Sequence, residues 1–153
     1  MPRFEFRLDR FLSVKEQIED QKEIEYATAL SIVEKEKAKL AELEQSRVQT
    51  VEDLRKSVSK KISPIEIRRY NNNIERLKHL IIVQTERLET AKLHAEEKRL
   101  ELVEAMKDRK ALETVKERNY EEYLKEEQKA ERVVVDGLVS YQYSQTTKQK
   151  DIR

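Results

Sequence analysis

The chain has 153 residues, enough for one ordinary domain, but 41% of them are charged and 37% are hydrophobic, with one glycine, two prolines, no tryptophan and no cysteine. Soluble domains usually carry about 25% charge and ~45–50% apolar residues, and so few breakers allow few turns, which excludes a compact globule with several loops. Thirty-two Lys and Arg against 31 Asp and Glu leave a formal charge of +1 with the signs interleaved. Such a chain offers no basic stripe for nucleic acid, and without cysteine it has no disulfide or thiol chemistry. Regular apolar periodicity argues against disorder.

The opening Met1-Pro2-Arg3-Phe4-Glu5 has no apolar core, so no signal peptide is expected. The longest aliphatic run, Leu80 to Val83, is far short of the ~20 residues that cross a bilayer. A cytoplasmic protein without membrane insertion is the expectation. A first helix is predicted over about 8–59. Tyr26, Leu30, Val33, Lys37, Leu40, Glu44, Arg47, Val51, Leu54 and Val58 alternate by four and three, and seven of the ten are apolar. Leu8, Phe11 and Ile18 extend the stripe upstream with a register offset near 18–26.

A turn is predicted over 60–63. Ser63-Pro64-Ile65-Glu66 forms a capping box with proline at the first helical position, so a second helix starts at Pro64. Its heptad runs through Ile67, Tyr70, Ile74, Leu77, Ile81, Gln84, Leu88, Ala91, Ala95, Lys98, Leu102 and Ala105, ten of twelve apolar. The same step continues through Arg109, Leu112, Lys116, Asn119, Tyr123, Glu126, Ala130 and Val133, half of them polar, so the seam weakens after about residue 106. Gly137 is predicted to cap this helix, leaving 1–140 as one hairpin and 141–153 as a mobile polar tail. A short connection makes the long helices antiparallel. The fold class is all-α: a long antiparallel two-helix coiled-coil hairpin, an extended rod and a monomer, since one chain supplies both strands of its seam.

Two helices enclose no dry pocket in which carboxylate pKa values could be tuned for catalysis. His79 and His94 lie 15 apart on one helix without ligand spacing, and one glycine makes no phosphate loop. No enzyme activity, cofactor or metal is expected. Partner binding is the remaining class. Phe4, Phe6 and Phe11 near one end of the sequence and Tyr120, Tyr123, Tyr141 and Tyr143 near the other are brought by the hairpin to one tip. They either close the open end on itself or form an adhesive tip, because exposed aromatics anchor interfaces.

Several segments resemble the FliJ family, the small coiled-coil component of the flagellar type III export apparatus. They are Phe4-Glu-Phe-Arg-Leu-Asp-Arg-Phe-Leu12, Ile62-Ser-Pro-Ile-Glu-Ile-Arg-Arg-Tyr70, Ile74-Glu-Arg-Leu77, Ala105-Met-Lys-Asp-Arg-Lys-Ala-Leu-Glu113, Tyr123 through Glu131, and Val135-Asp-Gly-Leu138. The resemblance implies a hairpin like the central shaft of rotary ATPases, with the end carrying both termini inserted in a hexameric export ATPase. It also implies contacts with the cytoplasmic part of the membrane-bound export gate and with export chaperones, at the inner face of the membrane at the flagellar base. The family's gate patch maps near Leu43, Asn73, Leu77, Leu80 and Gln84; Ser46, Thr50 and Asn73 stand where better-known relatives carry aromatics. The alternatives are a structural coiled-coil spacer or stator, and a holdase-type chaperone.

Overall fold

The computed structural model describes residues 2–152 and contains, among them, two helices and no strand. The helices are α1, Asp9–Ser59, and α2, Pro64–Asp151. The all-α two-helix hairpin expected from the sequence is the observed fold. Asp9 places a negative charge in the first turn of α1, where the helix dipole favours it. At the turn, Lys60 and Lys61 amides donate to the Ser57 and Val58 carbonyls at 3.0 and 3.3 Å, and Lys61 takes φ of 58°. This left-handed residue ends α1 and reverses the chain. Ser63 Oγ then accepts from the Glu66 amide at 3.4 Å, the first half of a capping box, with Pro64 opening α2.

Contacts divide the chain into two units, Met1–Glu16 with Lys107–Arg153, and Gln17–Met106. In the second of these, α1 and α2 run antiparallel. All twelve heptad positions of α2 from Ile67 to Ala105 are buried or half-buried. Ala29, Val33, Leu88 and Ala95 form the core cluster, flanked by Leu40 and Ala91. Alanine at these positions lets the helix axes approach while leucine and valine fill the space between them.

The α1 side of that seam differs from the expectation. Withdrawn from solvent along one face are Glu19, Lys22, Tyr26, Ala29, Val33, Glu36, Leu40, Leu43, Thr50, Leu54 and Ser57, a three–four alternation without an offset near 18–26 that passes over the exposed Arg47. Leu30, Val51 and Val58 lie one residue off it and are exposed, as is Ile18. The true seam carries several polar residues while apolar ones sit beside it, so counting hydrophobic residues selects the neighbouring face.

Those polar residues have partners. Lys22 Nζ lies 3.1 Å from Glu101 and 3.4 Å from Glu25, and Lys98 Nζ lies 3.3 and 3.4 Å from the same carboxylates, closing a square across the helices. Hydrogen bonds to Glu101 hold both lysines above their ordinary pKa, and those lysines hold Glu101 below its own. Burial pushes Glu25 upward, but hydrogen bonds from Gln21, Lys98 and Lys22 together keep it low. Further along, Gln84 is 5% exposed and its amide donates to the Glu36 carbonyl at 3.1 Å and to the Glu36 carboxylate.

In the other unit, Leu12 and Phe6 are buried, at 5% and 8% exposure. Lys15 reaches Asp108 at 3.4 Å and Lys116 reaches Asp9 at 3.1 Å. The seam of α2 here steps Arg109, Leu112, Lys116, Tyr120, Tyr123, Glu127. Asn119 and Glu126, expected on the seam, are exposed; Tyr120 meets Phe4 of the segment before α1, and Glu127 is half-buried. The predicted stop at Gly137 does not occur, nor does the change from helix to tail. Gly137 has an ordinary helical φ, and α2 continues to Asp151. A glycine costs about 1 kcal/mol in a helix interior, too little to stop one. Downstream, Ser144, Thr146 and Thr147 hydroxyls donate to the Tyr141, Gln142 and Tyr143 carbonyls, and Lys148 and Lys150 suit the negative end of the dipole.

Leu88→Asp should cost about 3–5 kcal/mol by leaving a carboxylate unpaired in the core cluster, whereas Glu97→Ala, on the exposed face, should leave the melting temperature within a few degrees. Thermal melts followed by circular dichroism check this; equal melting temperatures would contradict the seam.

Candidate partner-binding surfaces

An extended stretch before α1 lies along α2 in the unit that holds both ends of the described chain. Of the seven aromatics predicted to gather there, three do so, and Tyr141 and Tyr143 stand exposed further along α2. Phe4 meets Tyr120 edge-on at 5.2 Å between ring centroids and Tyr123 at 5.4 Å, while Tyr120 and Tyr123 lie 6.3 Å apart. The spacing follows from helix geometry, because residues three apart on α2 share a face. Phe6 is placed elsewhere, buried with the Lys116 ammonium 5.9 Å from its ring centroid. Phe11 is 62% exposed, one residue off the seam that Leu12 occupies.

The cluster is pinned by one hydroxyl. Tyr123 Oη lies 2.8 Å from the Pro2 carbonyl and 2.7 Å from Glu127 Oε1. With a single proton it donates to one of them at a time. The bond to Glu127 raises the Tyr123 pKa, with burial and the carboxylate's charge adding in the same direction, because phenolate would face carboxylate. Tyr120 remains 46% exposed. The three rings therefore close the N-terminal segment on α2, with one edge of Tyr120 left in solvent.

In the sequence Lys116 reads only as a polar interruption of the seam. In the structure it is the hub of this unit, paired with Asp9 and lying over Phe6. The available signal was the antiparallel register itself, which brings Asp9 opposite Lys116 just as it brings Lys15 opposite Asp108. Beyond Glu127 every described residue of α2 is exposed, including Val134, Leu138 and Tyr141.

The other predicted surface lies in the Gln17–Met106 unit. Leu43, Asn73 and Leu80 are half-buried and line one groove with Ser46, Thr50 and Leu77. Leu77 and Gln84 are 4% and 5% exposed and belong to the seam, so in the closed hairpin they back this surface rather than offer themselves to a partner. Small side chains at Ser46, Thr50 and Asn73 leave the groove open. Among the described residues no group of three or more acidic or histidine side chains is placed to hold a metal. No helix among them is long and apolar enough to cross a membrane.

The sequence matches the model of a family described as Flagellar FliJ protein over residues 4–148. The chain belongs to that family. Membership makes it a component of the flagellar export apparatus, in a family known as non-catalytic and structural. The match begins at Phe4 and runs well past Gly137, so it includes both the aromatic cluster and the part of α2 that has no helix opposite it. No curated protein and no solved structure matches the chain.

Tyr123 should titrate above the ordinary tyrosine range. Phenolate absorbance during an alkaline titration should lose its latest component in Tyr123→Phe, and that component should move to lower pH in Glu127→Gln. Retention of the late component in Tyr123→Phe would assign it to another ring.

Proposed function

We propose that this FliJ-family chain works as a monomeric shaft and escort. It engages the hexameric export ATPase ring through the unit formed by Met1–Glu16 and Lys107–Arg153. It contacts the cytoplasmic part of the export gate through the groove of Leu43, Asn73 and Leu80, and escorts export chaperones. The observation that carries the ATPase reading is the cluster of Phe4, Tyr120 and Tyr123. It joins the first residues to α2 directly before the stretch whose Val134, Leu138 and Tyr141 have no helix opposite them. Aromatic edges and unpartnered apolar side chains on a largely charged surface are where a protein partner gains most. The turn end, by contrast, offers Lys60, Lys61 and a capped helix start.

Affinity capture from the native cytosol tests the orientation. Removal of residues 1–12 or 120–153 should abolish recovery of the ATPase, whereas replacement of Ser59–Ser63 by another short turn should preserve it. Leu80→Asp should reduce recovery of the gate fragment and leave the ATPase unchanged. The reverse pattern, with ATPase lost only on changing the turn, would invert the proposal. Light scattering should give the mass of one chain, because α1 and α2 already cover each other's seam; a dimer mass would overturn the monomeric reading.

A further inference from the structure

The N-terminal segment builds a second surface distinct in chemistry from the aromatic cluster. Arg3, Arg7 and Arg10 are all exposed and line one open groove together with Phe4, Phe6 and Lys116. Glu5 and Asp9 also stand on it, so the groove carries four cations and two carboxylates, a local excess of two positive charges on a chain whose overall charge is +1. Of the four cations, Lys116 is engaged by Asp9. None of the three arginines has an ion pair among the described residues, although Asp9 and Glu5 are close in sequence. Three arginines thus line one concavity without an ion pair among the described residues.

We infer that this groove binds an acidic peptide segment of a partner protein, one with apolar residues between its carboxylates. Guanidinium forks match carboxylates in bidentate geometry, which suits arginine better than lysine for this task. The apolar part of the floor is the half-buried Phe4, which accepts small apolar side chains between the charged ones. A nucleic acid fits less well. Its phosphates recur at every residue and meet Glu5 and Asp9 among the arginines, and the buried Phe6 ring offers no face for a base to stack on. The inference does not rest on the ATPase reading, since it concerns the chemistry of the segment and not the identity of its owner.

The test uses the full chain and fluorescence anisotropy with three probes: an alternating Glu-Ala peptide, the matching Gln-Ala peptide and an oligothymidylate. The Glu-Ala peptide should bind and weaken with added salt, and the Gln-Ala peptide should not bind. Arg3→Gln/Arg7→Gln/Arg10→Gln should weaken the Glu-Ala peptide about tenfold, as three exposed charge pairs would. Lys35→Gln/Arg47→Gln/Arg68→Gln, which removes the same charge from exposed positions elsewhere, should change it less than twofold. Glu5→Gln should tighten binding, which keeps the test decisive even if the triple variant folds poorly. Equal loss in both triple variants, no effect of Glu5→Gln, tighter binding of oligothymidylate, or no binding of the Glu-Ala peptide would each overturn the inference.

Discussion

Two helices share a single interface, and each side chain in it has a partner on one side only. Among the described residues no large side chain is completely removed from water. A protein built this way cannot hide a mismatch behind a second layer, so each position of the seam is felt directly. The core cluster combines two alanines, Ala29 and Ala95, with two larger aliphatics, Val33 and Leu88.

The same constraint makes the polar members of the seam informative. Glu36 with Gln84 and the square of Lys22, Glu25, Lys98 and Glu101 are satisfied only at one alignment of α1 on α2. Aliphatic residues recurring at a heptad tolerate a slide by seven, but these partners do not, because a slide would leave half-buried polar groups unpaired. The polar contacts fix which residues face each other, and the apolar ones supply the attraction. In the Met1–Glu16 and Lys107–Arg153 unit the same division recurs, with Asp9 and Lys116 setting the alignment and Phe6 and Leu12 buried.

How far the sequence could be read follows from that division. The α2 seam up to Ala105 was legible because apolar residues occupy nearly all of it. The α1 seam was not: Glu19, Lys22, Glu36, Thr50 and Ser57 hold seam positions while Leu30, Val51 and Val58 stand next to them in solvent. The meeting of Phe4 with Tyr120 and Tyr123 was legible from the fold-back alone, whereas the separate placement of Phe6 and Phe11 depends on the local path before Asp9. The continuation past Gly137 was missed because glycine marks helix ends only where a left-handed residue is required, and none is required there. The arginine groove was hidden by an even overall charge, since convergence in space leaves no trace in a tally of signs.

The single-stranded part of α2 has a kinetic meaning. Starting a helix in water is the costly event, while adding residues to an existing one proceeds in nanoseconds with little cost for each. Residues 128–151 continue a helix whose earlier turns are clamped against α1 and the N-terminal segment. The first-turn penalty is therefore already met before anything binds there. A partner that grips this stretch has only to select a helix that regrows from a fixed end, rather than nucleate one from coil. Its association can be fast even though the surface it meets has no tertiary support of its own.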